Sequence, residues 1–328
     1  MKNVMYHLTC EVSQYHDTIG LSMRDAEFPF SRDTRITFLS VRLLERARRF
    51  RPHILHYFPS SGLTDWSLVR AKTLASRSGS AKFVISCLQR PQLSSFGESV
   101  LVSALRPNVV LVQSQRSARI LNHLGIRTTF LANGVDTRRF SPVTKLERQR
   151  LRKVYGVGNR FVVLHIGHLK EERGVRSLVN AVGPDTVVIL VVSTSRIPDE
   201  RLMSYLVQRG VRVWRKYFEN PQDIYNLADC YIFPVKDELA SIDLPLSVLE
   251  AMSCNLPVIT TRFGGLDEVF DEGEGLFFVD DDTRLKEALR IIRDGLVRIE
   301  TRKKVMALSW EKIGHDLDRI YEKVALET

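Results

Sequence analysis

Ten short apolar runs recur along this chain with helical patterns between them, and that alternation leaves few folds open. HILHYF (53–58), KFVISCL (82–88), NVVLVQ (108–113) and TTFLAN (128–133) form a first set. FVVLHIG (161–167), TVVILVVS (186–193), VRVW (211–214), CYIFPV (230–235), PVITT (257–261) and GLFFV (275–279) form a second. Amphipathic stretches such as ITFLSVRLLERARRF (36–50) and SARILNHLG (117–125) separate them. Strands that are apolar throughout, joined by helices, belong to parallel sheets covered on both faces. Two such arrays predict two doubly wound α/β domains. NGVDTRRFSP (133–142), a turn-and-proline segment followed by the charged run KLERQRLRK (145–153), marks the seam. The spacing therefore predicts a first domain over 1–143 and a second over 144–305.

Composition narrows the class. The 328 residues are 44% apolar and 26% charged, which is the balance of a soluble globular chain. The longest apolar run, VVILVV at 187–192, is too short to span a bilayer. The start MKNVMYHLTC has no long apolar core of a secretory signal. Cys10, Cys87, Cys230 and Cys254 are scattered without CxxC pairing, so neither a zinc site nor a disulfide scaffold is expected, and a cytoplasmic setting fits. A net charge of +10 favours anionic partners, from phosphorylated metabolites to an acidic membrane surface. No zinc finger, RNP motif or aromatic-interleaved basic stripe is present, which makes nucleic acid an unlikely partner.

The stretch LPLSVLEAMSCNLPVITTRFGGLDEV (244–269) concentrates the chemistry. Pro245 suits a first helical turn, Asp243 can cap it, and Leu246, Leu249 and Met252 recur at helical spacing. Asn255 and Pro257 end the run, so a helix over about 244–254 is predicted. Its N-terminus lies at the carboxyl edge of a parallel sheet, where ligands bind and phosphate is favoured. Glu250 then falls roughly 7–8 Å along the axis, where a carboxylate can accept both hydroxyls of a ribose. A solvated or salt-bridged helix glutamate is the other reading of the same spacing.

Residues 244–269 resemble the signature of retaining GT-B glycosyltransferases of the family 4 type, the glycosyl transferases of group 1. RPHILHYF (51–58), NGVD…F.P (133–142), LHIGHLKEERG (164–174), IYNLADCYIFP (224–234), GLFFVDDDTRLKEAL (275–289) and SWEKI (309–313) extend the resemblance over about residues 50–325. It implies two doubly wound Rossmann-like domains facing a cleft, with a helix over 306–328 returning to the first. It also implies a nucleotide diphosphate sugar as co-substrate, no further cofactor, no metal site, and a glycan or lipid-linked acceptor.

Residue by residue, Glu250 matches the glutamate that holds the donor ribose. The family glutamate eight positions earlier, which contacts the donor sugar, is replaced by Ile242, which accepts no hydroxyl hydrogen bond. Asp243 stands next to it, with Asp237 and Glu238 a few residues upstream, and a small loop shift would present Asp243 as a substitute for that contact. Gly167-His168 takes the place of a Gly-Arg pair, and Arg173 that of the following basic residue, so His168 and Arg173 are the expected diphosphate ligands. A bound diphosphate is expected to raise the His168 pKa, so donor affinity is expected to weaken as pH rises through roughly 7 to 8. Lys170 is the alternative source of that charge. Gly167, Lys170, Leu246, Ser247, Gly264 and Gly265 complete the donor positions.

The first domain is less informative. It starts without the usual glycine-rich loop, as though a first strand and helix were missing or had diverged. Gln89 and Arg90 stand where relatives often have a histidine. Arg90 and His56, with His7 and His53, are the acceptor-side candidates. The 36–50 helix sets Arg42, Arg46, Arg48 and Arg49 against Ile36, Leu39, Leu43, Ala47 and Phe50. That pattern fits a helix packed on its sheet with a solvated basic face, or a peripheral contact with the inner face of the cell membrane. A non-catalytic homologue that binds nucleotide sugar or a partner subunit is the rival function, and a sugar-nucleotide epimerase a second.

Overall fold

The computed structural model describes residues 2–20, 41–59, 62–79, 81–93, 105–193 and 198–327. Contacts divide the chain into two compact units, Met1–Gly134 with Trp310–Thr328, and Val135–Ser309. The first holds a four-stranded sheet in the order β1-β2-β3-β4: Ile54–Tyr57, Lys82–Cys87, Val109–Val112 and Thr128–Phe130. The second holds a six-stranded sheet in the order β10-β9-β8-β5-β6-β7. Its strands in chain order are β5 Phe161–Gly167, β6 Thr186–Val192, β7 Val211–Trp214, β8 Cys230–Phe233, β9 Val258–Thr260 and β10 Leu276–Phe278. Every pairing within these two sheets is parallel.

The strands follow the apolar runs because helices cover both faces, so no position needs to be polar. All seven residues of β6 are buried. It pairs with β5 from Phe161↔Thr186 to Gly167↔Val192. Val163, Val188, Leu190, Ile232 and Ile259 meet Leu178, Leu202, Leu206 and Leu289 in one core. In the first unit Ile85, Val110 and Val112 pack with Leu68, Ala71 and Leu121. Helix starts use short polar side chains: Thr64 forms a capping box with Ser67, and Asp199 accepts from the N–H groups of Arg201 and Leu202. Each cap contributes about 1 kcal/mol.

The seam differs from the sequence reading near 143. Residues 135–143 belong to the second unit because its side chains hold their carbonyls. Arg302 donates to Thr137 O and Phe140 O, each at 2.9 Å. Asn226 Nδ2 donates to Ser141 O at 3.0 Å. Gly134 closes the first unit, where a Cβ would fall 2.5 Å from the Trp310 ring. The helix Trp310–Leu326 follows in that unit.

The basic run 145–153 is the helix Lys145–Val154. Arg148 and Arg152 bind Asp229 at 2.6 and 3.1 Å, and Asp229 also accepts from the Val162 N–H at 2.7 Å. This charge fastens a helix to the sheet. The helix expected over 36–50 is described as Val41–Phe50, with Ala47 buried and Arg48 and Arg49 exposed. Ile36 and Leu39, and the side chains of Arg42 and Leu43, lie outside the described residues. No helix among the described residues is long and apolar enough to cross a membrane.

Candidate functional site

Within the second unit, β5, β8 and β9 end at a common edge, and loops leave from it toward the helix Leu246–Ser253. β5 stops at Gly167, and the short 3-10 helix Glu171–Arg173 follows. Gly174 ends that helix at φ +66, where a Cβ would sit 2.2 Å from Pro234 O. Only glycine fits both constraints, and the loop is thereby pinned beside the end of β8.

Arg173 is carried inward by this loop and is only 7% exposed. Its Nη1 donates to Ala240 O at 2.9 Å, and its guanidinium lies 5.5 Å from the centre of the Phe233 ring. Its Nε is buried without a partner, and among the described residues no carboxylate pairs with it. Burial pushes its pKa down, opposed by Tyr231. A buried guanidinium stays charged, and one without a counter-ion is ready for an anionic ligand.

His165, one turn of the pleat before Gly167 on the same strand face, is fully buried. Its Nδ1 lies 2.8 Å from Ile232 O. A carbonyl only accepts, so Nδ1 carries the proton and Nε2 is an acceptor, which is buried without a partner. Burial, and then the Arg173 charge, lower the imidazole pKa to about 3. The Tyr231 hydroxyl donates to Ile166 O at 3.3 Å.

The helix runs from Leu246 to Ser253, with Pro245 at its N-cap and no side-chain cap. Asp243 is therefore not the cap expected from the sequence. Val248, Leu249, Ala251 and Met252 are its buried face, and Leu246 is only half-buried. Asn255 takes φ +56, the left-handed stop that was expected. Asp243 is buried, its carbonyl accepts the Gly265 N–H at 3.0 Å, and a Cβ on Gly264 (φ +58) would fall 2.3 Å from that carbonyl oxygen. The glycine pair thus clamps the 243 main chain against the turn after β9.

Glu250 is partly exposed and makes no ion pair among the described residues. The Tyr225 hydroxyl donates to its Oε2 at 2.6 Å. Glu250 is half-buried, yet enough protein surrounds the carboxyl that burial dominates and raises its pKa to about 7, against the Tyr225 hydrogen bond and the Arg139 charge. His168 is half-buried and Lys170 exposed. Arg173, Gly167, Ser247 and Glu250 thus stand on neighbouring elements, as does His165. A cavity of about 400 Å3 beside Gly174 and Phe233 is rimmed by Glu171, Asp237 and Asp280 as well as Lys236, and its excess of carboxylates disfavours a diphosphate.

The acceptor-side candidates lie in the first unit. His56 is held on both ring nitrogens, by Tyr321 Oη at 2.6 Å and Ser86 Oγ at 2.8 Å, and burial lowers its pKa to about 3. His7 stacks on Trp310 at 4.8 Å. Arg90 and His53 are exposed. Sequence reasoning missed His165, Tyr225 and Tyr231. His165 and Tyr231 read as apolar-run residues and Tyr225 as one residue of the helix Pro221–Leu227, and only contacts between distant segments set them apart.

Two all-parallel sheets, one in each of two α/β units, are the architecture of the GT-B fold. A glycosyltransferase of Rickettsia africae superposes with a TM-score of 0.75 at 17% identity, over 98% of this chain and 95% of that one. Residues 160–294 match the model of Glycosyl transferases group 1, a stretch that lies within the second unit. The spore coat protein SA of Bacillus subtilis is 25% identical over 60% of this chain and 59% of its own length. A GDP-mannose-dependent monoacylated alpha-(1-6)-phosphatidylinositol monomannoside mannosyltransferase of Corynebacterium glutamicum is 27% identical over 62% and 59%. The chain thus spans about three fifths of the length of these curated relatives.

Proposed function

We propose that this chain transfers a hexose from a nucleotide diphosphate sugar to a glycan or lipid-linked acceptor with retention of configuration. The observation that carries the reading is Arg173, a buried guanidinium without a counter-ion among the described residues, at the strand edge from which the Glu250 helix also starts. The match of residues 160–294 to the model of Glycosyl transferases group 1 supports it.

In this reading the diphosphate lies between Arg173 and the first turn of the Leu246–Ser253 helix, whose dipole favours an anion. Glu250, ionised, accepts the ribose hydroxyls through Oε1, while Tyr225 holds Oε2 and fixes the carboxylate plane. As the bond from sugar C1 to the diphosphate oxygen breaks, Arg173 stabilises the charge that gathers on the leaving oxygen. The acceptor oxygen adds to C1 on the same face, and its proton passes to the departing phosphate. Asp243 is buried and Ile242 is apolar, so recognition of the sugar differs here from the family pattern.

Calorimetric titration of UDP-, GDP- and ADP-glucose and the matching mannose donors into wild type and Glu250→Ala tests the reading. One donor should bind the wild type and lose about 30- to 100-fold in the variant, as two hydroxyl contacts are lost. Binding of no donor, or equal binding by both proteins, removes it.

A further inference from the structure

Two buried groups in the second unit lack the partner that the other could supply. His165 Nε2 is an acceptor and Arg173 Nε a donor, and both are buried without a hydrogen bond. They lie on either side of one small space. A Cβ built on Gly167 would be 2.7 Å from Arg173 Nη2 and 3.0 Å from His165 Nε2. Gly167 needs no positive φ. Its lack of a side chain leaves room for these two side chains instead.

Two aromatic rings flank the imidazole as well. Tyr231 stacks on the imidazole at 6.2 Å and 21°, and Phe233 lies at 6.2 Å. The Ile232 carbonyl holds Nδ1–H, so the imidazole cannot turn to satisfy Nε2 without giving up that bond. An ionised phosphate oxygen has no proton for Nε2, and a fully buried nitrogen is out of reach of a sugar. The guanidinium beside it has five N–H groups, of which Nη1 uses one on Ala240 O.

We propose that His165 is the positioning residue of the diphosphate grip: when Arg173 turns to an anion, one of its N–H groups donates to His165 Nε2, which sets the plane of the guanidinium. This rests on the proposed donor site. The neutral imidazole suits the task, since a protonated one would repel the guanidinium. It also explains why a buried strand position carries histidine and not a hydrocarbon. A histidine here adds a polar group whose burial has a cost, and that cost is offset only when both nitrogens are bonded.

The first test uses wild-type protein labelled with 15N-histidine. Free protein should show His165 protonated at Nδ1 and bare at Nε2. Adding whichever of UDP, GDP or ADP binds should move the Nε2 resonance in the direction of an accepted hydrogen bond and leave Nδ1 in place. An Nε2 that is already protonated, or that does not move at saturation, overturns the proposal. The second test compares His165→Asn, which can keep a donor for Ile232 O but has no acceptor at Nε2, with His165→Gln, which can restore one. His165→Asn should weaken binding of the nucleoside diphosphate about tenfold and leave the monophosphate within about twofold, and His165→Gln should recover most of the loss. The His165→Asn loss should vanish when Arg173→Gln is already present. Equal loss of mono- and diphosphate, or a loss that persists without Arg173, makes His165 a packing residue and overturns the proposal. Failure of the donor-site reading itself shows earlier and separately, as a wild type that binds no nucleoside phosphate, and it removes this proposal too.

Discussion

Glu250 makes the sharpest residue-scale prediction, because its pKa of about 7 puts its charge change inside the working range. Accepting two hydroxyls requires the carboxylate, so below pH 7 a proton must leave on binding. Donor affinity should therefore rise as pH goes from 6 to 8, by about tenfold, and proton release should be seen by calorimetry in two buffers. The His168 expectation has the opposite sign, so the slope decides which group governs binding. Stability runs the other way. The folded pKa lies above the ordinary value of 4.5, so this contribution is fully present below that value and lost as pH rises through 7. Glu250→Gln should then be more stable than wild type at pH 8 by on the order of 1–3 kcal/mol, and much less so at pH 5, in denaturant melts. Glu250 and Arg173 were singled out from their motifs, and their burial and partners came only from the structure. His165 and Tyr225 were not, since a hydrogen bond to Ile232 or to Glu250 is set by strand pairing and helix packing between distant segments.

At the scale of elements, the strands were legible because a parallel sheet buried on both faces writes itself as apolar runs. The cap and the seam were not. Asp243 sits at the position of an N-cap, but the turn is started by Pro245 and Asp243 is buried instead. The segment 135–143 has the composition of a linker, yet Arg302 and Asn226 take its carbonyls. Nothing local in 133–142 announces either. The glycine turn shows how an element serves the site through its neighbour. Gly264→Ala must place a Cβ 2.3 Å from Asp243 O while holding φ +58. That should cost at least about 2 kcal/mol of stability or displace the 243 loop. Gly273→Ala provides the comparison, since φ +106 is even less open to an L side chain but nothing lies within 4 Å. If loop displacement is the cause, Gly264→Ala loses nucleotide-sugar affinity and Gly273→Ala does not. Equal affinity in the two variants would mean that the 243 loop does not shape the donor site.

For the whole molecule, a net charge of +10 suggested an anionic ligand but not where it is held, and two arrangements predict different behaviour in salt. Lys170 is exposed, as are Arg176 and Lys236, so a diphosphate held by such groups would be screened. The Debye length falls from about 10 Å at 0.1 M to about 4–5 Å at 0.5 M. Arg173 is buried, and salt reaches it poorly. Part of the positive charge is also already committed: Arg148 and Arg152 to Asp229, Arg176 to Glu171, Arg215 to Glu200. The nucleoside diphosphate that binds best should therefore lose only about two- to threefold in affinity between 0.1 and 0.5 M NaCl, with Lys170→Ala changing it about as little. A loss of about tenfold or more over that range, abolished by Lys170→Ala, would move the diphosphate from the buried guanidinium to the surface amine. Arg173 would then be a structural cation, and the pH slope assigned to Glu250 would be left as the sole sign of a donor held at this edge.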